Sequence, residues 1–246
     1  MRRAGALVGN VLSEVASAVK PGVSTGDLNQ IALEMILGAG AKAAFLGYPH
    51  PARGPAFTGA LCISLNDEVV HGVPRKDRVV EEGDIVSLDC GVLLQGFYGD
   101  AAVTVAVGKV DAVSEQLLAT TRASLEAAVS CCCVGTRLKE LSTAVEAVVV
   151  GAGFSVVRDF VGHGIGRRLH EDPQVPNYSF SGGSSGYKFR EGLVLAIEPM
   201  VNVGGPDTEV LADQWTVVTK DRSRSAHFEH SIAITRDGPW VLTTPG

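Results

Sequence analysis

Long hydrophobic runs are missing from this sequence. Glycine, serine or charged residues break every apolar stretch well before the roughly 18 consecutive apolar residues that a membrane-spanning helix needs. The basic start, Met1-Arg2-Arg3, leads into a segment that mixes apolar residues with Asn10, Ser13 and Glu14. That mixture is typical of an amphipathic helix and not of a signal peptide. We therefore expect a cytoplasmic protein.

A basic stripe is missing as well. The 246 residues carry a net charge of −6, with 46% hydrophobic and 20% charged residues, as in ordinary globular proteins. Neither disorder nor direct recognition of nucleic acid is indicated. The cysteine count is five, and an odd number without a signal peptide predicts reduced thiols. Three are consecutive, Cys131-Cys132-Cys133; because neighbours on a helix do not face one point, we interpret them as apolar filler near a helix end, with a metal or redox site as the alternative.

Helical periodicity recurs along the chain, and it predicts helices over residues 4–19, 27–37, 113–130 and 138–150. Pro21-Gly22 ends the first of these helices, and Ser24-Thr25 caps the second. Strand patterns dominate residues 59–107 and the chain from 154 onward.

The chain also repeats itself weakly. Two glycine-bounded helical segments match at constant spacing, in that Gly22, Leu28, Gly38 and Gly40 recur as Gly135, Leu141, Gly151 and Gly153. In each copy a Glu-Gly pair then precedes a strand with an acid, Asp89 or Glu198. We predict one α+β domain over 1–246, with similar halves of about 1–110 and 111–246. Each half would place helices on one face of an antiparallel sheet, with a site between the halves.

Two acids of the first half are predicted to lie close together. If the chain turns at Leu94-Gln95, Asp89 lies directly opposite Asp100, with Cβ atoms about 4.5–5.5 Å apart. Two carboxylates at that distance repel each other unless one is protonated or a cation lies between them. The alternative is a surface hairpin with two solvated acids.

The second half offers comparable side chains. Glu198 ends an apolar run, Glu229 lies within a strand pattern, and His163 and His170 belong to a glycine-rich segment, 162–173. Taken singly, each acid is more often an edge residue and each histidine a core residue. Together, two Asp, one His and two Glu suit Mn, Fe(II), Co or Zn and suffice to bridge two ions, an arrangement that serves hydrolysis.

These segments resemble type I methionine aminopeptidases, the short form with the pita-bread fold. The resemblance covers nearly the whole chain, through residues 19–25, 43–48, 62–74, 89–100, 163–174, 195–202, 215–221 and 225–235. It implies an α+β pita-bread fold with two pseudo-symmetric halves, antiparallel sheet covered by helices, and a metal site between the halves.

The resemblance also implies roles for individual residues. Two divalent ions, Co, Mn, Fe(II) or Zn, would be held by five ligands: Asp89, Asp100, His163, Glu198 and Glu229. A hydroxide on the metals would attack the first peptide bond, with Glu198 as the proton shuttle. His71 would contact the scissile amide, and His170 would steady the tetrahedral intermediate.

The implied function is removal of the N-terminal methionine from nascent proteins and peptides, with a small second residue preferred. The methionine pocket would be lined by Tyr48, Cys62, Phe160 and Trp215, although Phe160 and Trp215 would also suit an aromatic core. The stretch Pro49–Leu61, which includes Arg53, is longer than the usual form and borders this pocket. Expected partners are nascent polypeptides and the ribosome, with no membrane contact and a monomeric state.

Two alternatives remain open. A proline-specific aminopeptidase or dipeptidase would share the fold, but such enzymes usually carry an extra amino-terminal domain, for which the helices before Tyr48 leave no room. His71 in its Asn-Asp-Glu-Val-Val-His-Gly-Val-Pro segment also favours methionine removal. A non-catalytic pita-bread protein that binds peptides would typically have lost ligands, and all of them are present here.

Overall fold

A computed structural model describes residues 1–52 and 54–246; Arg53 lies outside the described residues. The helices within this part of the chain are α1 Arg2–Ala18, α2 Thr25–Gly38, α3 Ala112–Ser130 and α4 Leu138–Gly151, with a 3₁₀ turn at Gly183–Gly186. Their ends differ from the predicted ones by at most two residues, so the four helix predictions are confirmed. No helix in the described residues is both long and apolar enough to cross a membrane.

Local signals explain where the helices begin and end. Gly22 has a φ of 91°, which lets the chain reverse after α1. The Ser24 side chain then accepts a hydrogen bond from the Asp27 amide and caps α2. At the end of α3, Cys131 is the C-cap and Cys132 is buried in the core, which agrees with the interpretation of these two cysteines as filler, whereas Cys133 is exposed.

The strands pair antiparallel throughout the described sheets. They are β1 Lys42–Ala43, β2 Cys62–Leu65, β3 Glu68–Val70, β4 Ile85–Leu94, β5 Phe97–Ala106, β6 Ser155–Val156, β7 Gly162–Gly164, β8 Glu171–Val175, β9 Val194–Ile197, β10 Met200–Asn202, β11 Thr208–Val210, β12 Val217–Thr219, β13 Ser225–His227, β14 His230–Thr235 and β15 Gly238–Val241. One sheet has the order β1-β4-β2 with β5 on β4, and another has the order β15-β14-β9-β7-β8. Two three-stranded sheets, β13-β10-β6 and β11-β12-β3, extend them.

The turn between β4 and β5 differs from the predicted one. It consists of Gln95-Gly96, with φ values of 52° and 80°, and not of Leu94-Gln95. A two-residue hairpin loop of type I′ requires positive φ at both positions, a conformation that glycine adopts freely and leucine does not. The prediction failed because it placed leucine in the loop.

The shifted turn changes which residues face each other. Asp89 lies opposite Ala102, and Asp100 lies opposite Gly91, so the predicted direct pairing of the two acids is wrong. The error amounts to two residues along the strand. Because side chains alternate between faces with a period of two, both carboxylates still lie on the same face of the sheet.

Each half has its own apolar core. In the first half α1 and α2 cover the sheet, with Val8, Leu28 and Leu88 fully buried. In the second half α3 and α4 do the same over β9 and β14, with Val145 and Leu195 fully buried. Helices on one face of each sheet confirm the predicted α+β architecture with two similar halves. The halves adjoin at a seam, where Ala102 of β5 forms an antiparallel bridge with Glu229.

Candidate metal centre

Side chains from five positions, on strands or directly next to them, meet at the seam between the halves. Asp89 lies on β4, Asp100 on β5 and His163 on β7, while Glu198 directly follows β9 and Glu229 directly precedes β14. All five line one cavity of about 240 Å³. The predicted ligand set is therefore brought together by the fold.

Main-chain hydrogen bonds across the seam set this arrangement. Glu229 N donates to Ala102 O at 2.9 Å, and Ala102 N donates to Glu229 O at 3.3 Å. Ala102 thus lies between Asp89, its partner on β4, and Glu229. Two residues away along β5 and on the same face, Asp100 is fixed by the Ser231 hydroxyl, which donates to Asp100 O at 2.7 Å. The small Ala102 side chain leaves room for carboxylates on both sides.

Electrostatics at the seam disfavour four ionised carboxylates. Burial raises the pKa of Asp89 to about 7. Burial also raises the pKa values of Asp100, Glu198 and Glu229 well above their ordinary range, and repulsion from neighbouring carboxylates raises them further. One buried oxygen each of Asp89, Asp100 and Glu229 has no hydrogen-bond partner among the described residues. Unpaired buried charge of this kind is costly unless a cation is bound.

The imidazole of His163 is prepared to act as a ligand. Its Nδ1 lies 2.9 Å from Gly164 O, and because a carbonyl only accepts, Nδ1 carries the proton. Nε2 then carries a free lone pair, and it lies 3.6 Å from Glu198 Oε1 and 3.9 Å from Asp100 Oδ2. Burial, reinforced by nearby His170, lowers the pKa of His163 to about 4, which keeps the ring neutral at pH 7.

The donor set fits a divalent metal. Ligand atoms of Asp100, His163 and Glu229 all lie within 4.8 Å of one another. Carboxylate oxygens with one imidazole nitrogen suit first-row divalent ions, and the partner for Nδ1 of the imidazole is the kind that metal-binding histidines use.

Comparison with known proteins also indicates a metal-binding protein. A family model described as metallopeptidase family M24 matches residues 1–236. The chain belongs to this family. Among its relatives, the methionine aminopeptidase of Clostridium acetobutylicum is 44% identical over 99% of this chain and 94% of its own length. Methionine aminopeptidase 1 of Bacillus subtilis is 45% identical over the same shares of both chains.

Solved structures confirm the fold. A crystal structure of methionine aminopeptidase from Thermotoga maritima superposes with a TM-score of 0.94, at 46% identity, over 99% of this chain and 95% of that one. The prolidase from Pyrococcus horikoshii reaches 0.76 at 21% identity and covers 61% of that longer chain, which shows a shared fold and nothing more. The pita-bread fold predicted from the sequence is thereby confirmed.

Two further histidines border the seam of this family member. His170 lies with its ring centroid 4.4 Å from that of His163, and its Nδ1 lies 2.8 Å from the Tyr48 hydroxyl. His71 has a φ of 60°, a strained conformation for a residue with a side chain. Burial, and then His170, lowers the pKa of His71 to about 4, and burial also lowers that of His170. Both rings are therefore neutral hydrogen-bonding groups at pH 7.

An apolar wall completes the cavity. The four predicted pocket residues, Tyr48, Cys62, Phe160 and Trp215, all line it. Burial and the nearby Asp89 carboxyl raise the pKa of the Cys62 thiol well above its ordinary value, so this side chain is neutral. Every site residue predicted from the sequence thus lies around one cavity.

Sequence reasoning missed several side chains at this site. Phe45 and Phe57 belong to the wall. His227 is buried, and its Nε2 lies 3.9 Å from Glu198 Oε2. Strand alternation places His227 on the face of Glu229, and this signal was available in the sequence. Phe45 lies within a segment already matched to the family, whereas nothing in the sequence connects Phe57 to the site.

Proposed function

We propose that this chain removes the amino-terminal methionine from proteins and peptides and prefers a small second residue. The observation that carries the proposal is the seam cavity, where five candidate ligands lie beside two neutral imidazoles and an apolar wall. Relatives named methionine aminopeptidase support this substrate, because they match nearly the whole chain.

The ligand assignment is the one that the resemblance implies, and the donor set around the cavity supports it. Two divalent ions, Co, Mn, Fe(II) or Zn, would be held by Asp89, Asp100, His163, Glu198 and Glu229. When bound, such ions polarise a carbonyl and make water nucleophilic at neutral pH. Carboxylates from both halves would thereby be neutralised, which relieves their mutual repulsion.

The remaining chemistry falls to side chains of this chain. Glu198 would take up and return a proton, the role that the resemblance implies for it. Neutral His71 would hydrogen-bond the scissile amide. The Tyr48 hydroxyl orients the His170 ring through Nδ1, which leaves Nε2 for the oxygen that becomes negative during the reaction.

The cavity suits a methionine side chain. It is lined by aromatic rings and a neutral thiol, which favour an unbranched apolar group over a charged one. We further propose a cytoplasmic monomer that acts on nascent chains near the ribosome, since the two halves supply both sides of the site.

The test is metal-dependent release of methionine. The purified protein would be stripped of metal, reloaded with Mn(II), Co(II), Fe(II) or Zn(II), and given Met-Ala-Ser, with Leu-Ala-Ser, Met-Pro-Ser and Met-Lys-Ser for comparison. Mass spectrometry would follow the released residue, and elemental analysis would count bound ions. His163→Ala and His71→Ala would be compared with the control His230→Asn. His230 is next to Glu229 in sequence, but its side chain hydrogen-bonds Thr243 outside the cavity.

We expect release of methionine from Met-Ala-Ser alone, with about two ions per chain, consistent with a dinuclear hydrolytic site. His163→Ala should lose metal and activity, His71→Ala activity only, and His230→Asn neither. A folded protein that releases nothing with any metal would contradict the proposal.

A further inference from the structure

A second cleft continues outward from the seam cavity. This outer cleft of about 500 Å³ is lined mainly by apolar residues: Pro51, Phe160, Val210, Leu211, Trp215 and Val217. It shares Pro51, His71, Phe160 and Trp215 with the seam cavity. A peptide whose first residue lies beside the candidate ligands therefore has a continuous path for its following residues past Trp215.

His50 joins the long 49–61 loop to the far side of this path. Its Nδ1 accepts hydrogen bonds from the amides of Ala52 at 3.1 Å and Gly54 at 3.0 Å. With two donors directed at it, Nδ1 is unprotonated, so the proton lies on Nε2. Nε2 then donates to Gln214 O at 3.0 Å, a contact between segments 164 residues apart in sequence.

The same loop holds the Trp215 ring. Trp215 Nε1 donates to Pro55 O at 2.8 Å. The His50 and Phe57 rings contact the indole edge-to-face, with centroid distances of 5.0 and 5.3 Å. Such edge-to-face contacts fix an aromatic ring in one orientation.

Gly54 shows how closely the loop packs on the segment that carries Trp215. A Cβ atom at this position would lie 2.7 Å from His50 Cγ and 2.8 Å from Gln214 Oε1. Real Cβ contacts are longer, and Gln214 Oε1 ends a flexible side chain that can move aside. A larger residue would therefore displace the His50 ring from its contacts. His50, Gly54 and Pro55 thus act together on one wall of the outer cleft.

We propose that His50 is a positioning residue that determines specificity, because it fixes the loop against Gln214 and Trp215 and thereby narrows the outer cleft where the second residue of a peptide substrate lies. This inference rests on the proposed function and extends it to the residue after methionine. Loss of the contact widens the cleft and admits larger second residues, while the candidate ligands are untouched.

The experiment uses variants that separate the two ring nitrogens, all in a Trp240→Phe background so that Trp215 is the remaining tryptophan. His50→Asn keeps an acceptor for Ala52 and Gly54 but cannot reach Gln214. His50→Gln keeps a donor for Gln214 O. Gly54→Ala displaces the His50 ring from its contacts, and His230→Asn is the control for an unrelated histidine. Each protein would be assayed with Met-Ala-Ser and Met-Leu-Ser, and its tryptophan emission and bound metal would be measured.

We expect His50→Asn and Gly54→Ala to lower the preference for Met-Ala-Ser over Met-Leu-Ser, as a ratio of kcat/KM, by about tenfold, the scale of one pocket contact. The change should arise in KM for Met-Leu-Ser, with Trp215 emission shifted to the red and metal content unchanged. His50→Gln should lie close to the parent protein. An active parent whose preference is unchanged in His50→Asn would overturn the inference alone, whereas a parent inactive on both peptides would overturn the proposed function and the inference with it.

Discussion

The two halves of the molecule share their local geometry more closely than their sequence. Gly22 and Gly135 precede the second helix of each half, with φ values of 91° and 92°. Their amides donate to Val80 O and Phe189 O, at 2.9 Å in both cases. The same backbone arrangement in both halves therefore brings one pair of strands from each half to the seam.

The connections between those strands differ. In the first half β4 and β5 are joined by a two-residue turn, whereas in the second half residues 198–229 separate β9 from β14 and include four further strands. This long segment carries Trp215 and His227, which have no counterpart in the first half. The duplicated parts supply carboxylates, and the unduplicated segment adds Trp215 to the apolar wall and places His227 beside Glu198.

Removing one carboxylate from each half tests whether the halves contribute equally. Asp100→Asn and Glu229→Gln preserve volume and remove one charge each. We expect both to lower methionine release by more than about a hundredfold, since even partners outside the metal shell contribute about 10- to 100-fold. Metal-dependent release from Met-Ala-Ser measures the effect, and a variant that stays within about tenfold of the parent would show that its half is dispensable.

The same substitutions should stabilise the metal-free protein. Burial raises the pKa of Asp89 to about 7 and raises those of Asp100 and Glu229 further above their ordinary range. A carboxyl with a raised pKa in the folded state favours folding only while protonated, so the free energy of unfolding falls as pH rises from about 4, the unfolded value. We expect metal-free Asp100→Asn to resist urea better than the parent at pH 7, with a smaller difference at pH 4. Equal urea midpoints at pH 7 would contradict the repulsion described at the seam.

The equivalent acids Asp89 and Glu198 have different supports. Asp89 lies opposite the Cys62 thiol, whereas Glu198 Oε2 lies 3.9 Å from His227 Nε2, which has no hydrogen-bond partner among the described residues. Burial lowers the pKa of His227 to about 3, so the ring is neutral at pH 7.

We expect His227→Leu to weaken metal binding by about 10- to 100-fold and His227→Gln to restore most of it. Metal titration would measure this. Cys62→Ala should have a smaller effect because a thiol is a weak donor, and equal losses in His227→Leu and His227→Gln would indicate a packing role.

Sequence reasoning predicted the helices and the ligands better than the contacts between them. Helix ends are local, and Ser24 and the glycines after each helix mark them. The hairpin register failed at Gln95-Gly96 because hydrophobic alternation is nearly indifferent to a shift of two residues. The contact between His50 and Gln214 was not foreseen, because it depends on how distant segments pack and no local pattern reports that.

The stability cost of replacing equivalent glycines measures how similar the backbones of the two halves are. An added Cβ at Gly22 or Gly135 would meet nothing within 4 Å, so Gly→Ala acts through backbone conformation alone. We expect each substitution to lower the free energy of unfolding by about 1–2 kcal/mol, by the same amount in both halves. Urea unfolding would measure it, with Gly38→Ala as a control that has negative φ and open space. Unequal losses would mean that the second helices of the two halves contribute differently to stability.

Substitutions at the N-caps of these same helices have the smallest expected effect on stability. Ser24 and Arg137 occupy equivalent positions with similar extended backbones, φ −85° and −91°, but only Ser24 accepts a hydrogen bond from the first turn. Arginine has no acceptor. We expect Ser24→Ala to cost about 1 kcal/mol and Arg137→Ser to stabilise by less than that, since a cap is added to a helix already held by packing. If Arg137→Ser is neutral in urea unfolding, the bond from Arg137 N to Glu140 Oε1, 3.4 Å long, is sufficient for α4. The two helices would then begin by different means on the same backbone.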